Sequence, residues 1–219
     1  MTTSPGSTRS ESLTGKVRVD FPEYAVPPAE PSGLLRRWLA QAAELGVREP
    51  RALALATADA RGRPSSRIVV ISQVTDDGFV FLSHAGSRKG LDLAVNSWAS
   101  GVLYWRETSQ QIIVAGPVTV LPRPETEAMW FARPVFTHAM SAAARQSRPL
   151  RGPEQVEELR ERALRLGKSG EALPCPEEFT AYELRFDSVE FWANGTDRLH
   201  ERLCYERTGD GWNVGRRQP

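Results

Sequence analysis

Cysteine, histidine and long apolar runs are all scarce in this chain, and each scarcity narrows the possible functions. Cys175 and Cys204 are the only cysteines in 219 residues. They show neither metal-site spacing nor a CxxC arrangement, so we expect free thiols and a cytoplasmic protein. His84, His138 and His200 include no i, i+4 pair, which argues against a metal site. No apolar run approaches the roughly 18 residues of a membrane span, and the start lacks the apolar segment of a secretory signal.

The charge is nearly balanced, with 28 Lys and Arg against 27 Asp and Glu. A net charge of +1 gives no reason to expect a nucleic-acid or membrane partner. Residues 1–30 are rich in Ser, Thr and Pro, which predicts a flexible N-terminal arm that is ordered only where FPEY (21–24) meets a surface. Residues 31–219 suffice for one domain with a sizeable core.

Short apolar segments separated by turn residues predict many strands. The predicted strands are 52–58, 64–74, 79–83, 102–106, 110–121, 179–193, 203–207 and 212–216. Gly116-Pro117 predicts a bulge or a sheet edge inside its strand. Near Asp187-Ser188 the apolar alternation changes phase, which predicts a bend and turns Trp192 away from the apolar side. Gly209-Asp210-Gly211 predicts a hairpin turn.

Helical periodicity occurs in four places. Ser32 is predicted to cap a helix that ends near Gly46, and Ser87 to open another. The other two predicted helices cover residues 124–132 and 153–167. Many antiparallel strands with few helices predict an α+β protein, mainly β, built on a barrel decorated by helices.

The segment FVFLSHAGSRKGLDLAVN (79–96) places two cations, Arg88 and Lys89, in the first turn of a helix. A helix N-terminus is itself partly positive, so cations there are unfavourable. Either both side chains are exposed and the cost is small, or an anion such as a phosphate lies between them and the free helix N–H groups.

Four other features could carry chemistry, and each also has a structural explanation. Arg67 begins the apolar run RIVVI, which reads as buried on both faces, so Arg67 needs a carboxylate partner or a ligand. Gln110-Gln111 and Gln146-Ser147 are potential amide donors or simply solvated polar residues. Residues 198–202 place Arg198, His200 and Arg202 on one face of an extended chain, as a basic strand or as a binding surface.

Taken together, RIVVIS (67–72), SRK (87–89), Gln111, RP (133–134), QS (146–147) and FW…RLHER (191–202) resemble the pyridoxamine 5′-phosphate oxidase family. The resemblance covers residues 31–219, and REPRALALATAD, HAGSRKG and LYWRETSQQI are similar to its FMN-dependent branch in phenazine biosynthesis. It implies an FMN-binding split β-barrel that forms a homodimer with two FMN sites at the interface.

The resemblance also implies roles for individual residues. Arg67, Arg88, Lys89 and Ser147 would hold the FMN phosphate, and Gln111, Trp192 and Arg202 would meet the isoalloxazine ring. The partner chain would supply Gln146, Ser147, Trp192 and Arg202. The remaining cofactor positions are Ile68, Val69, Val70, Ile71, Ser72, Leu82, Ser83 and Ser87.

Departures from the vitamin B6 enzymes bear on the substrate. The family's lysine position for substrate phosphate is Ser72 here, and its tyrosine position falls on Met129 or Trp130. Arg133 and Thr137 remain as equivalents of the arginine and the serine that bind the substrate phosphate in those enzymes. Losing a cation and a hydroxyl disfavours a phosphate dianion, since each hydrogen bond to charge is worth roughly 1.5–3 kcal/mol.

A flat carboxylated substrate therefore suits the expected pocket. The resemblance places Arg198 and His200 over the face of the substrate as the candidate catalytic residues. The implied reaction is oxidation of a reduced phenazine carboxylate, with molecular oxygen reoxidising the flavin to give hydrogen peroxide. His200 would shuttle a proton or only bind. The alternatives are a pyridoxine/pyridoxamine 5′-phosphate oxidase and a flavin-binding protein without turnover.

Overall fold

A computed structural model of the chain describes residues 17–195 and 199–219. It contains nine strands and five helices in these ranges, so the predicted mainly β, α+β class is confirmed. The strands are β1 (Ala52–Ala58), β2 (Pro64–Val74), β3 (Gly78–His84), β4 (Trp98–Trp105), β5 (Gln110–Val120), β6 (Phe179–Arg185), β7 (Ser188–Ala193), β8 (Glu201–Thr208) and β9 (Gly211–Arg216). The helices are α1 (Pro31–Glu44), α2 (Arg88–Val95), α3 (Arg123–Ala132), α4 (Phe136–Ala143) and α5 (Glu154–Gly167).

The strand order is β4-β1-β2-β3-β6-β5-β7-β8-β9, and β4 also pairs with β5. The pairing of β4 with β5 closes the first six strands into a ring, which is the predicted split β-barrel. Gly116-Pro117 lies where β5 changes partner: Gln110 to Ala115 pair with β7, and Val118 to Val120 pair with β6. The predicted irregularity is therefore a change of partner within a central strand and not an edge.

Within the described residues, two compact units share these strands: residues 17–54, 100–115, 186–195 and 199–219 form one, and residues 55–99 and 116–185 form the other. In the first unit Trp38 of α1 is buried and contacts Phe21, Trp105 and Phe191 at ring-centroid distances of 4.8, 6.3 and 5.2 Å. In the second unit the buried Trp130 packs edge-on against Phe179 at 4.7 Å. Aromatic pairs of this kind contribute about 0.5–1.5 kcal/mol beyond area burial.

Most predicted boundaries agree with the structure to within a few residues, and three differences concern α1, β4 and α4. α1 begins at Pro31, with Glu30 and not Ser32 in the capping position, because proline suits the first helical turn. β4 begins at Trp98, four residues before the predicted start. α4 was not predicted, because its eight residues carry no charged face to reveal a helical period.

Part of the N-terminal segment contacts the first unit. Phe21 is buried, Pro22–Tyr24 form a 3-10 helix, and the Tyr205 hydroxyl donates to the Pro28 carbonyl at 3.1 Å. The FPEY motif thus meets a surface, as expected, whereas the boundary at residue 30 stays a prediction. None of the helices in the described ranges is long and apolar enough to cross a membrane.

Candidate active site

The N-terminus of α2 is fixed by two neighbouring residues. The buried Ser87 caps the helix as predicted, its hydroxyl accepting from the Gly90 N–H at 3.3 Å. A Cβ at Gly90 would lie 2.2 Å from the Ala85 carbonyl oxygen, so only glycine permits this approach. The first turn of α2, which carries Arg88 and Lys89, is therefore held tightly against the end of β3.

Lys89 is buried, with 6% of its surface exposed. Its Nζ donates to Ser83 Oγ at 2.9 Å, to Gln146 Oε1 at 3.1 Å and to Ser87 Oγ at 3.4 Å. All three acceptors are neutral oxygens. A buried cation normally has an anionic partner, so this arrangement has room for a further negative charge.

Arg67 and Arg88 converge on one buried carboxylate, Asp92. Arg88 Nε donates to Asp92 Oδ1 at 3.1 Å, and Arg67 Nη2 lies 3.8 Å from Asp92 Oδ2. The second anion near Arg88 is Asp59, 3.9 Å away and partly exposed. Arg67 thus has the carboxylate partner that one explanation required. The three cations Arg67, Arg88 and Lys89 nevertheless lie around a single buried carboxylate, which leaves the explanation by an anionic ligand open.

Two hydroxyls complete this group. Thr57 accepts from Arg67 Nη1 at 2.8 Å and donates to Asp92 Oδ2 at 2.8 Å. Ser65 accepts from Arg67 Nη2 at 2.5 Å and donates to the same oxygen at 2.9 Å. The guanidinium of Arg67 is thereby held in a fixed orientation.

The local field is reflected in three pKa values. Burial alone would raise the pKa of Asp92, but hydrogen bonds from Thr57, Ser65 and Arg88 outweigh it and lower the pKa. Burial, together with the charge of Arg67, lowers the pKa of Lys89. Burial also lowers the pKa of Arg67, partly offset by Asp92. The cations are destabilised by their surroundings, as expected where an anionic ligand would complete the group.

The Gln146-Ser147 turn lies at this cluster in the same chain. Gln146 Oε1 accepts from Ser83 and Lys89, and Ser147 adopts φ +68°, a left-handed conformation unusual for serine. Gln146 therefore lies beside Lys89 of its own chain, and which chain supplies Gln146 and Ser147 to a flavin stays a prediction. Sequence order gave no sign that this loop returns to α2.

The strand β2 differs from its predicted burial on both faces. Val69 and Ile71 are buried, whereas Ile68 and Val70 are 63% and 66% exposed. Ser72 is also exposed and follows the same alternation, so it lies on the face of Ile68 and Val70. The apolar run is buried on one face only. On the neighbouring strand, Leu82 is partly exposed beside the buried Ser83.

Three polar or aromatic residues form a row across β5, β7 and β8. Gln111 pairs with Trp192, and Trp192 pairs with Arg202, so all three lie on one face. Trp192 is half-buried, as its predicted turn away from the apolar side requires. Arg202 forms a bidentate ion pair with Glu190 at 2.7 and 3.0 Å, and these hydrogen bonds raise the pKa of Arg202.

His200 lies beside this row, with its ring centroid 4.6 Å from that of Trp192. Its Nδ1 is buried and has no hydrogen-bond partner within residues 17–195 and 199–219. His200 also lines a cavity of about 890 Å³ in the first unit. Arg198 lies outside the described residues.

The predicted substrate residues of the second unit gather around Trp130. Trp130 is fully buried and donates to the Leu173 carbonyl at 2.7 Å, whereas Met129 is partly exposed. Of the two alternatives for the tyrosine position, Met129 is the one with an accessible side chain, and its contact with substrate stays a prediction. Thr137 donates to the Pro134 carbonyl at 2.8 Å.

Arg133 has an incomplete set of partners. Its guanidinium lies 5.0 Å from the ring centroids of both Trp130 and Phe179, and Nη2 donates to Ser141 at 3.0 Å. Nη1 is buried without a hydrogen-bond partner in the part of the chain that the structure describes. Burial lowers the pKa of Arg133. A carboxylate would satisfy Nη1.

Sequence reasoning missed Asp92 and Glu190, the two acids that hold the arginines. The i, i+4 spacing of Arg88 and Asp92 on a helix could have indicated the first. The period-2 spacing of Glu190 and Trp192 could have placed the second on the face of the row. The link from Asp92 to Arg67 depends on tertiary contacts and left no sequence signal.

Comparisons with known proteins agree with this geometry. Residues 39–193 match the family model of pyridoxamine 5′-phosphate oxidase, and residues 179–219 match the pyridoxine 5′-phosphate oxidase C-terminal dimerisation region. A dihydrophenazinedicarboxylate synthase of Pseudomonas chlororaphis is 52% identical, covering 98% of this chain and 95% of that protein. A pyridoxine/pyridoxamine 5′-phosphate oxidase of Paraburkholderia phymatum is 40% identical, covering 86% and 89%.

A solved structure gives the same result. The crystal structure of PhzG from Burkholderia lata 383 in complex with tetrahydrophenazine-1-carboxylic acid has a TM-score of 0.89 and 48% identity, covering 94% of this chain and all of that one. Sequence and structure therefore place this chain in the pyridoxamine 5′-phosphate oxidase family.

Proposed function

We propose that this protein is an FMN-dependent oxidase that aromatises a reduced phenazine carboxylate. One observation carries the cofactor assignment: Lys89 is buried among neutral acceptors at the capped start of α2. A phosphate dianion would supply the missing negative charge and accept from the free N–H groups of the helix. A single phosphate group fits better than a dinucleotide, because the sequence has no glycine-rich dinucleotide motif.

The residues divide into two groups around the proposed cofactor. Arg67, Arg88, Lys89 and Ser147 would hold the phosphate, with Ser83 and Gln146 orienting Lys89. Gln111, Trp192 and Arg202 would contact the ring. When bound, FMN would supply the acceptor for the hydride, and molecular oxygen would then reoxidise the reduced flavin and give hydrogen peroxide.

The protein's own contribution is position and charge. Glu190 fixes the Arg202 guanidinium by a bidentate pair, so this cation is oriented before any ligand arrives. The Nδ1 atom of His200 has no hydrogen-bond partner among the described residues, so it is available to hold or pass one proton. Since aromatisation is strongly favourable, orientation of the substrate is the main gain that we assign to these residues.

Arg133 carries the substrate assignment. Its buried Nη1 is available for one carboxylate oxygen, while Ser72 offers no cation for a phosphate. Met129, partly exposed, adds an apolar contact suited to a flat ring. The 52% identity to a dihydrophenazinedicarboxylate synthase, against 40% to a vitamin B6 oxidase, supports the same choice.

We further propose a cytoplasmic homodimer with both FMN sites at the interface. Residues 179–219 match the family's dimerisation region, and β2 exposes Ile68 and Val70, apolar side chains that a second copy would cover. The partner would supply Trp192 and Arg202 to each site, while Gln146 and Ser147 serve their own chain. Both cysteines are free, in keeping with a reducing compartment.

Absorbance and oxygen uptake test the proposal. The purified protein should be yellow and release FMN, not FAD, on denaturation. It should consume oxygen with reduced phenazine carboxylates and far less with pyridoxine 5′-phosphate. Equal turnover of pyridoxine 5′-phosphate would support a vitamin B6 oxidase instead, and bound FMN with no turnover of either would indicate a flavin-binding protein.

A further inference from the structure

Asp92 occupies an unusual position for an acid, in the middle of a group of cations. It is 3% exposed and lies one helical turn after Arg88 on α2. A carboxylate near a phosphate repels it, so an acid here needs a compensating role. Its two oxygens show what that role is.

Each oxygen of Asp92 serves one arginine. Oδ1 accepts from Arg88 Nε at 3.1 Å. Oδ2 accepts from Thr57 and Ser65, and these two hydroxyls in turn accept from the two terminal nitrogens of Arg67. One carboxylate thus sets the direction of both guanidinium groups, although Arg88 has a half-exposed side chain that would otherwise sample many rotamers.

The charge arithmetic is consistent with this role. Arg67, Arg88 and Lys89 contribute +3 and Asp92 contributes −1, so these four side chains have a formal charge of +2, which the partly exposed Asp59, 3.9 Å from Arg88, reduces to +1. A phosphate dianion carries −2 near neutral pH. Without Asp92, three cations would repel one another in the empty protein, Arg88 would lose its acceptor, and the hydroxyls that hold Arg67 would lose theirs.

We propose that Asp92 is a positioning residue that orients Arg67 and Arg88 toward a phosphate group. Asp92 does not itself touch the ligand. This inference rests on the proposed FMN site, because the phosphate it prepares for is that of the flavin. It predicts that Asp92 matters for flavins that carry the phosphate and not for those that lack it.

The test compares FMN with riboflavin in the apoprotein, by quenching of flavin fluorescence. Asp92→Asn should raise the Kd of FMN about tenfold and leave the Kd of riboflavin unchanged. Ser65→Ala, which removes one link between Arg67 and Asp92, should raise the Kd of FMN about threefold. The matched control is Glu127→Gln, which breaks another i, i+4 pair with an arginine on α3 and should change neither Kd.

Inorganic phosphate separates failure of this inference from failure of the proposed function. Phosphate should raise the Tm of wild-type apoprotein more than that of Asp92→Asn. An unchanged or lower Kd of FMN in both Asp92→Asn and Ser65→Ala would overturn the positioning role, as would equal loss of FMN and riboflavin binding. Wild-type apoprotein that binds phosphate but not FMN would contradict the FMN assignment. The difference in the phosphate-induced Tm increase between wild type and Asp92→Asn would then decide the role of Asp92.

Discussion

The two groups of candidate residues differ in how the charge of their arginines is balanced. At the start of α2, Arg67 and Arg88 share Asp92, and the buried Lys89 donates to three neutral oxygens. In the row across β5, β7 and β8, Arg202 forms two hydrogen bonds with the carboxylate of Glu190. The first group keeps surplus positive charge, whereas the second is neutral and has an aromatic ring beside it. One is suited to a dianion and the other to a flat, weakly polar ring.

The largest effect should follow from removing the unbalanced cation. Lys89→Met should raise the Kd of FMN about 10- to 150-fold, since a hydrogen bond to charge is worth roughly 1.5–3 kcal/mol. The same variant should stabilise the empty protein, because it removes a buried cation with a lowered pKa. Isothermal titration and thermal unfolding measure the two effects. Lys168→Met, at an exposed lysine, is the control; an unchanged Kd in Lys89→Met would contradict the contrast between the groups.

Removing Arg133, whose buried Nη1 has no hydrogen-bond partner among the described residues, should affect substrate and not cofactor. Arg133→Met should lower kcat/KM for a reduced phenazine carboxylate about 10- to 150-fold, on the same basis, while FMN remains bound. Oxygen uptake and flavin absorbance give the two readouts, with Arg162→Met on the exposed side of α5 as the control. Loss of FMN with unchanged kcat/KM per bound flavin would place Arg133 in the cofactor site instead.

Acid titration should reveal the ionised carboxylate of the first group. The pKa of Asp92 is lowered in the folded protein, so its contribution to stability is present above its unfolded value, 3.8, and is lost as the pH falls through the folded value. Asp92→Asn should therefore be less stable than wild type at neutral pH, by about 1–3 kcal/mol. That difference should shrink at acidic pH in urea unfolding. A constant difference at all pH values would mean that the charge of Asp92 does not contribute.

The smallest effect concerns Ser72. Ser72→Lys adds a cation on the exposed face of β2 and should lower the KM for pyridoxine 5′-phosphate about tenfold, the worth of one charged contact. The KM for a phenazine carboxylate should change less, because that ligand has no dianion. Steady-state oxygen uptake with both substrates decides. Ser66→Lys, six residues earlier on the same exposed face, controls for added charge.

Local signals were enough to predict the strands and the helix cap of the first group, but not the contacts between its side chains. The bounds of β1 and β2 and the Ser87 cap follow from periodicity and capping chemistry, which act within a few residues. The link from Asp92 to Arg67 passes through Thr57 and Ser65 on two different strands, so it exists only after folding. The position of Gln146 beside Lys89 likewise depends on a loop 57 residues away in sequence.

Burial was the least predictable property. The run RIVVI has the composition of a strand buried on both faces, yet one face is exposed in the single chain. A sequence pattern records that a surface is apolar and does not say whether the same chain or another copy covers it. We therefore propose that Trp192 and Arg202 of one chain contact the flavin whose phosphate is held by Arg88 and Lys89 of the other chain.

Mixing two defective chains tests that claim most directly. One chain carries Arg88→Glu and Lys89→Met, and the other carries Trp192→Ala and Arg202→Met; each homodimer should bind little FMN. Heterodimers isolated with two affinity tags should bind about one FMN per dimer, because one of their two sites combines intact groups. A heterodimer that binds no more FMN than the homodimers would contradict shared sites and place each flavin within a single chain.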